Sequence, residues 1–137
     1  MSVTSLFPES KVEGPNPPVE AVYAQLMRLL ESLDHSKMSQ LEALYADDIS
    51  YEDPNRALQG KKSMLAYLSG FLKDKSISVR IHTTMEQEGS LFMSWSARVR
   101  QHHGSRSYSQ RLEGASFFRA REGKIFFQRN YFDESLR

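Results

Sequence analysis

The hydrophobic pattern of this chain changes its period near the middle, and that change limits the folds the chain can adopt. Through the first half, apolar residues recur every three or four positions, as they do on one face of a helix. From about Ser76 onward they alternate with polar residues, as they do on one face of a strand. Helices followed by a long run of strands predict an α+β domain with its helices packed on one side of a sheet.

Three helices are predicted ahead of the main sheet. The strongest pattern follows Pro18, which suits the first turn of a helix. A short second helix is expected after the potential cap Ser36, with Tyr45 on its apolar face, and a third after Gly60. Residues 49–53 predict an extra strand that ends at Pro54. The first helix has apolar residues at Val19, Val22, Tyr23, Leu26, Leu29, Leu30 and Leu33.

Four further strands are predicted in the second half. Residues 77–85 and 91–100 alternate most clearly, and residues 102–105 resemble the turn of a long hairpin. A return strand is expected over residues 111–118, and a last strand is expected through Tyr131 after a turn at residues 121–124. Consecutive strands joined by tight turns predict a strongly curved antiparallel sheet.

Composition restricts the possible partners and compartments. The chain has 137 residues, enough for one domain, and a net charge of +1, which gives no electrostatic case for nucleic acid or an anionic membrane. No stretch approaches the roughly 18 apolar residues of a membrane span. The absence of cysteine excludes disulfides and thiolate metal sites. We expect a cytoplasmic protein with a flexible tail over residues 1–17 and one domain over residues 18–137.

Several local motifs, taken in order, resemble the nuclear transport factor 2-like superfamily and its SnoaL-like group. Residues 44–54 resemble the family's second helix running into its first strand, and residues 60–62 resemble the start of its third helix. Residues 112–118 resemble its penultimate strand. Residues 123–125 and 129–133 resemble its closing strand. The resemblance extends from about Val19 to Asp133.

This resemblance implies a cystatin-like α+β barrel, in which a cone-shaped curved antiparallel sheet wraps around the long N-terminal helix. Such folds hold an apolar pocket between the sheet and the helix, and they often dimerise through the outer sheet face. We therefore expect a small apolar molecule as ligand and a homodimer as the assembly. Phe92, Arg98 and Arg100 lie on the expected outer face, where aromatic and basic groups are common in interfaces.

Limonene-epoxide hydrolases of the same superfamily offer the most informative comparison. Tyr51 matches a tyrosine of their water-activating machinery, and Asp53 replaces an asparagine. Their Arg-x-Asp corresponds here to residues 95–97, Trp-Ser-Ala, and their closing acid corresponds to Asn130. An amide cannot take a proton from water, so the resemblance argues against epoxide hydrolysis.

The same alignment places the candidate site on the concave face. Tyr51 and Asp53 are the candidate catalytic residues, and Asp53 is expected among aromatic and amide groups without a basic residue. Each candidate also has a structural interpretation, since Asp53 before Pro54 is typical of a turn and Trp95 is typical of a core. The candidate ligand-binding residues are Met93, Trp95, Ala97, Asn130 and Phe132.

No metal site and no cofactor are expected. His102 and His103 are adjacent in a predicted turn, and no other side chains stand at metal-ligand spacing from them. Neither a phosphate-binding loop nor a dinucleotide fingerprint is present.

Three hypotheses for the function follow. The leading one is a protein that binds an apolar ligand through a few polar groups, with its catalytic status open. The second is a proton-transfer enzyme, an isomerase, cyclase or dehydratase, with Asp53 as general acid or base and Tyr51 or Asn130 stabilising an oxyanion. The third is a non-catalytic dimerisation module that works through its outer sheet face.

Overall fold

The computed structural model describes residues 18–133, so the tail expected over residues 1–17 lies outside the described residues. Within this range, three α-helices and six strands follow one another, with a 3₁₀ turn at His35–Lys37 before the second helix. The helices are α1 Val19–Glu31, α2 Met38–Glu42 and α3 Lys61–Leu72. The strands are β1 Tyr45–Asp53, β2 Arg56–Gln59, β3 Lys75–Gln87, β4 Ser90–His103, β5 Arg106–Arg121 and β6 Lys124–Phe132.

Helix α1 forms where the periodic pattern predicts it and packs on the sheet by its apolar stripe. Glu20 in its first turn and Arg28 in its last turn both suit the helix dipole. The helix ends before Leu33, whose backbone N–H and C=O pair with Ile77 of β3 at 2.8 Å each. Its buried residues are Val22, Tyr23, Leu26 and Leu29.

The six strands form one curved, unclosed sheet in the order β2-β1-β6-β5-β4-β3. The α+β class and the curved sheet expected from the sequence are confirmed. One pairing differs from the expected antiparallel sheet, because β1 runs parallel to β6. The other neighbours are antiparallel. The parallel pair brings the end of β1 beside the last residues of β6.

Two features near β1 differ from the sequence-based expectation. The strand begins at Tyr45 rather than at Ile49, because Tyr45 pairs with Ile125 of β6 instead of continuing the second helix. Strand β2, which was not predicted, pairs with β1 from Ser50 opposite Gln59 to Asp53 opposite Arg56. Four residues at a sheet edge give too short a pattern to show alternation.

The main core lies between the concave face of the sheet and the helices. Alternate residues of the central strands point into it, and the helices cover it from the other side. The largest fully buried side chains are Tyr23, Phe118, Leu26, Ile49, Met64, Leu72, Leu91, Met93 and Ile125.

Candidate functional site

A continuous chain of polar side chains crosses the otherwise apolar concave face, from the end of β1 to the middle of β4. Its first members, Tyr51 and Asp53 at the end of β1, are buried, with exposed fractions of 4% and 8%. The parallel pairing of β1 with β6 brings them beside Asn130, whose amide Nδ2 donates to the Tyr51 hydroxyl at 3.2 Å. Buried polar groups in an apolar setting require partners, so these contacts fix the orientation of each side chain.

Asp53 accepts four hydrogen bonds, two on each carboxylate oxygen. Oδ2 accepts the hydroxyls of Tyr51 at 3.0 Å and Tyr67 at 2.8 Å. Oδ1 accepts the backbone N–H groups of Asn55 at 2.8 Å and Arg56 at 3.1 Å. Asp53 therefore closes the turn between β1 and β2 with one oxygen, as the turn interpretation requires, and holds two phenols with the other.

The chain continues from Asn130 towards β4. The hydroxyl of Ser116 donates to Asn130 Oδ1 at 2.7 Å, and the indole N–H of Trp95 donates to the Ser116 hydroxyl at 2.9 Å. On the other side, Gln128 Nε2 donates to the same Asn130 oxygen at 3.2 Å, and the Tyr45 hydroxyl donates to Gln128 Oε1. Asn130 thus joins both branches of this network.

The electrostatics of the network favour neutral phenols beside the Asp53 carboxylate. Burial, reinforced by the adjacent Asp53, raises the pKa of Tyr51 well above its ordinary value. Burial and the hydrogen bond to Asp53 raise the pKa of Tyr67 to about 12. Burial also raises the pKa of Tyr45. The guanidinium of Arg56 lies 4.4 Å from the Tyr67 ring centroid, stacked on the ring rather than paired with the carboxylate.

The strand register places the sequence-predicted residues on one face. Trp95 lies opposite Gly114, which lies opposite Phe132, and the rings of Trp95 and Phe132 have centroids 6.4 Å apart. Met93 lies opposite Ser116, which lies opposite Asn130. The structure therefore brings together Tyr51, Asp53, Met93, Trp95, Ala97, Asn130 and Phe132 on the concave side of the sheet.

Exposure differs among these residues. Met93 is fully buried in the core and Ala97 is 6% exposed, so both belong to the floor of the concave face. Trp95, Asn130 and Phe132 are partly exposed. A molecule that approaches from solvent would meet the three partly exposed side chains first.

Sequence reasoning missed four members of the network, and for most of them a signal was present. Ser116 and Gln128 stand two residues from inward-facing positions on their own strands, so alternation places them on the same face. Tyr67 follows the buried Met64 by three residues on α3 and shares its helix face. Tyr45 was assigned to the second helix, so its place on the sheet was hidden.

Two open depressions lie away from the network. One of about 510 Å³ lies at the tip of the β4–β5 hairpin, and one of about 420 Å³ lies beside Met85, Phe92 and Phe117. Neither is lined by a residue of the network. Among residues 18–133, no group of three or more histidine, aspartate or glutamate side chains is arranged to hold a metal ion.

Comparison with known families decides where the chain belongs. The SnoaL-like domain family matches residues 26–127, which include the last six residues of α1, helices α2 and α3, strands β1 to β5 and the start of β6. The chain belongs to the SnoaL-like domain family. The resemblance expected from the sequence is thereby confirmed. No curated protein matches this SnoaL-like domain significantly.

Solved structures, NTF2-like proteins among them, show that the SnoaL-like domain has the nuclear transport factor 2-like fold. A protein described as a SnoaL-like polyketide cyclase from Shewanella denitrificans OS-217 superposes with a TM-score of 0.74 at 12% identity, covering 88% of this chain and 94% of that one. An LEH-like epoxide hydrolase of M. tuberculosis superposes with a TM-score of 0.66 at 17% identity, covering 86% of this chain and 80% of that one. A computationally designed 17-OHP binder superposes with a TM-score of 0.71 at 16% identity, covering 87% of this chain and 95% of that one. At these identities the likeness shows the fold alone.

Within the part of the chain that is described, none of the helices has the length and apolar character needed to cross a bilayer.

Proposed function

We propose that this SnoaL-like domain binds a small, largely apolar molecule against its concave face, between Trp95, Phe132 and Tyr67. The observation that carries the proposal is the hydrogen-bonded network on an otherwise apolar surface. Its inner members, Tyr51 and Asp53, are buried, whereas Asn130 and Trp95 reach partial exposure. A few fixed polar groups within an apolar surface are what small-molecule sites use to orient a ligand.

The polar groups favour a ligand that accepts hydrogen bonds. Asn130 uses its carbonyl oxygen for Ser116 and Gln128 and one amide proton for Tyr51, which leaves its second amide proton for a ligand. The indole N–H of Trp95 can also donate to a ligand if the ligand oxygen replaces the Ser116 hydroxyl as its acceptor. A ketone, ester or hydroxyl oxygen fits this donor set better than a cation does.

A proton-transfer enzyme is the second candidate, supported by the carboxylate that contacts two phenols. In that function Asp53 would be the general acid or base, with Tyr51 or Asn130 stabilising an oxyanion. The four bonds that Asp53 already accepts count against it, because a base must give up a partner before it can take a proton. Binding without turnover therefore has the stronger support.

Epoxide hydrolysis is not proposed, although one structural neighbour carries that name. Among the described residues, no arginine side chain hydrogen-bonds to the network, and the position of the closing acid holds Asn130. Without a second carboxylate, no charge-paired acid and base flank a water site.

Homodimerisation through the outer sheet face is a separate proposal, supported by an apolar row across three strands. Met85 lies opposite Phe92, and Phe92 lies opposite Phe117. The ring of Phe117 contacts Phe127 of β6, with centroids 6.0 Å apart. Met85 is 64% exposed, which is uncommon for a large apolar side chain and favours a partner surface.

Trp95 makes the binding proposal testable, because it is the only tryptophan of the chain. Native mass spectrometry of the purified protein tests for a retained molecule, and a panel of cyclic ketones that includes 17-OHP tests for saturable quenching of Trp95 fluorescence. We expect Asn130→Leu to weaken the affinity measured by quenching at least tenfold. Gln87→Leu, at the end of β3, is the control. Quenching that is unchanged in Asn130→Leu, or absent across the panel, would contradict the proposal.

A further inference from the structure

The tip of the β4–β5 hairpin concentrates positive charge that the rest of the chain does not share. Residues 98–111 include four arginines and no aspartate or glutamate. The whole chain has a net charge of +1, so the remaining residues together carry −3. The near-neutral total therefore conceals a local cationic site.

The register of the hairpin places three of these cations on one face, whereas Arg106, opposite His103 beside the turn, lies on the other face. Arg98 of β4 lies directly opposite Arg111 of β5, and Arg100 lies opposite Ser109. Like charges opposite one another destabilise a strand pair. Arg111 is offset by Glu113 at 3.2 Å, whereas no carboxylate within residues 18–133 pairs with Arg98, Arg100 or Arg106. The hairpin thus retains cations that the fold itself does not neutralise.

An open depression of about 510 Å³ lies at this tip. Its polar side chains are arginine, histidine, serine and tyrosine groups, all of which can donate hydrogen bonds, and no carboxylate lines it. Gly104, with φ +65°, turns the chain at its edge and has open space where a Cβ would lie. The lining residues are Arg100, His102, Gly104, Ser105, Arg106, Ser107, Tyr108 and Ser109.

The guanidinium groups are oriented by neutral hydroxyls. Arg106 Nη1 lies 3.4 Å from the Tyr108 hydroxyl, and Arg98 Nη1 lies 3.4 Å from the Ser109 hydroxyl. Both bonds are long for a charged donor, so an anion with shorter contacts can replace them. The hydroxyl released from an arginine would then be free to donate to the anion bound by that arginine.

We propose that the hairpin tip binds a phosphate monoester. Arginine presents a planar fork that matches phosphate oxygens, and alternating serine hydroxyls can donate to the remaining oxygens. The cationic area is confined to one hairpin tip, which favours a small phosphorylated molecule over a nucleic acid that would need an extended basic surface. This site is separate from the concave network and does not depend on the function proposed for it.

Amide NMR titration of the full chain tests the proposal. Phenyl phosphate, added at constant ionic strength, is expected to shift resonances of residues 100–109 saturably. It is also expected to bind more tightly than malonate, a dicarboxylate dianion. The Arg100→Ala/Arg106→Ala double variant is expected to weaken binding at least tenfold. Arg121→Ala is the control, since this arginine of β5 pairs with Asp48 outside the site.

Three results would overturn the proposal. They are the absence of saturable shifts, equal weakening in Arg121→Ala, and tighter binding of a short oligothymidine than of phenyl phosphate. Circular dichroism and melting temperature of the double variant establish that it is folded. The substituted arginines are exposed, so their removal is expected to leave the fold intact.

Discussion

Asp53 shows how one side chain can serve the fold and a candidate site together. Its Oδ1 completes the turn after β1, and its Oδ2 fixes Tyr51 and Tyr67. The sequence predicted aromatic and amide neighbours without a basic residue on the same face. The guanidinium of Arg56 stacks on the ring of Tyr67, one of the two phenols that Asp53 holds. The backbone donors could not be predicted, because they depend on the turn into the unpredicted strand β2.

We predict that Asp53→Asn destabilises the fold by about 1–3 kcal/mol. The amide has one acceptor oxygen in place of two, so either the two phenol O–H groups or the two backbone N–H groups lose their acceptor. Urea unfolding at neutral pH measures the effect. Asp47→Asn on the same strand is the control, since the Asp47 side chain is 100% exposed and its contact with Lys61 is 3.6 Å. An Asp53→Asn variant as stable as the Asp47→Asn variant would show that the four hydrogen bonds of Asp53 contribute little to the free energy of unfolding.

Tyr67 gives the stability of the fold an alkaline dependence. Its pKa rises from 10.0 in the unfolded chain to about 12 in the fold, so the folded state holds the proton more tightly. The resulting stabilisation is complete below pH 10 and is lost as the pH rises towards 12. We expect the free energy of unfolding to fall over this range, and to fall less steeply in Tyr67→Phe. Identical slopes in both proteins would contradict the assignment.

At the scale of elements, long periodic segments were predictable and short ones were not. Helix α1 and strand β4 carry seven or more positions of consistent pattern, so each was predicted in place. Strand β2 has four residues, and the start of β1 at Tyr45 is fixed by pairing with a strand 80 residues later. Non-local pairing of this kind leaves no trace in a local pattern.

Gly114 is the point where strand pairing and the candidate site meet. A Cβ at this position would lie 2.2 Å from the backbone oxygen of Tyr131 and 2.8 Å from the Trp95 ring. We predict that Gly114→Ala lowers stability by more than about 2 kcal/mol, since backbone must move to admit the methyl group. Thermal unfolding measures the change.

Gly70 supplies the matched comparison for that substitution. It lies within α3, and nothing is within 4 Å of an added Cβ. Gly70→Ala should therefore raise stability by about 0.5–1 kcal/mol through helix propensity. Changes of the same sign in the two variants would contradict the close packing of β5 against Trp95 and β6.

At the scale of the whole molecule, the apolar row on the outer face predicts a homodimer. Light scattering at micromolar concentration is expected to give twice the mass of one chain, and Phe92→Glu is expected to give a monomer because it places a charge in the centre of the row. Tyr108→Glu, at an exposed aromatic outside the row, should remain dimeric. A monomeric unsubstituted protein would refute the interface.

The fold family was predictable from the order of elements and their motifs, whereas the function of the concave face was not. Residues on one strand face follow from alternation, and the register then joins Tyr51, Asn130 and Trp95 as neighbours. The hydrogen-bond partners that decide between base, anchor and ligand donor depend on distances of a few tenths of an ångström. Patterns of residue type do not contain that information.

The side-chain N–H signals of Trp95 and Asn130 provide the most direct test of ligand binding on the concave face. In an NMR screen of neutral apolar carbonyl compounds, we expect saturable shifts of both signals together with those of β6, while the amides of Phe92 and Phe117 stay unchanged. Binders that shift only outer-face amides, or a screen without any binder, would contradict the claim that this SnoaL-like domain holds a small molecule there.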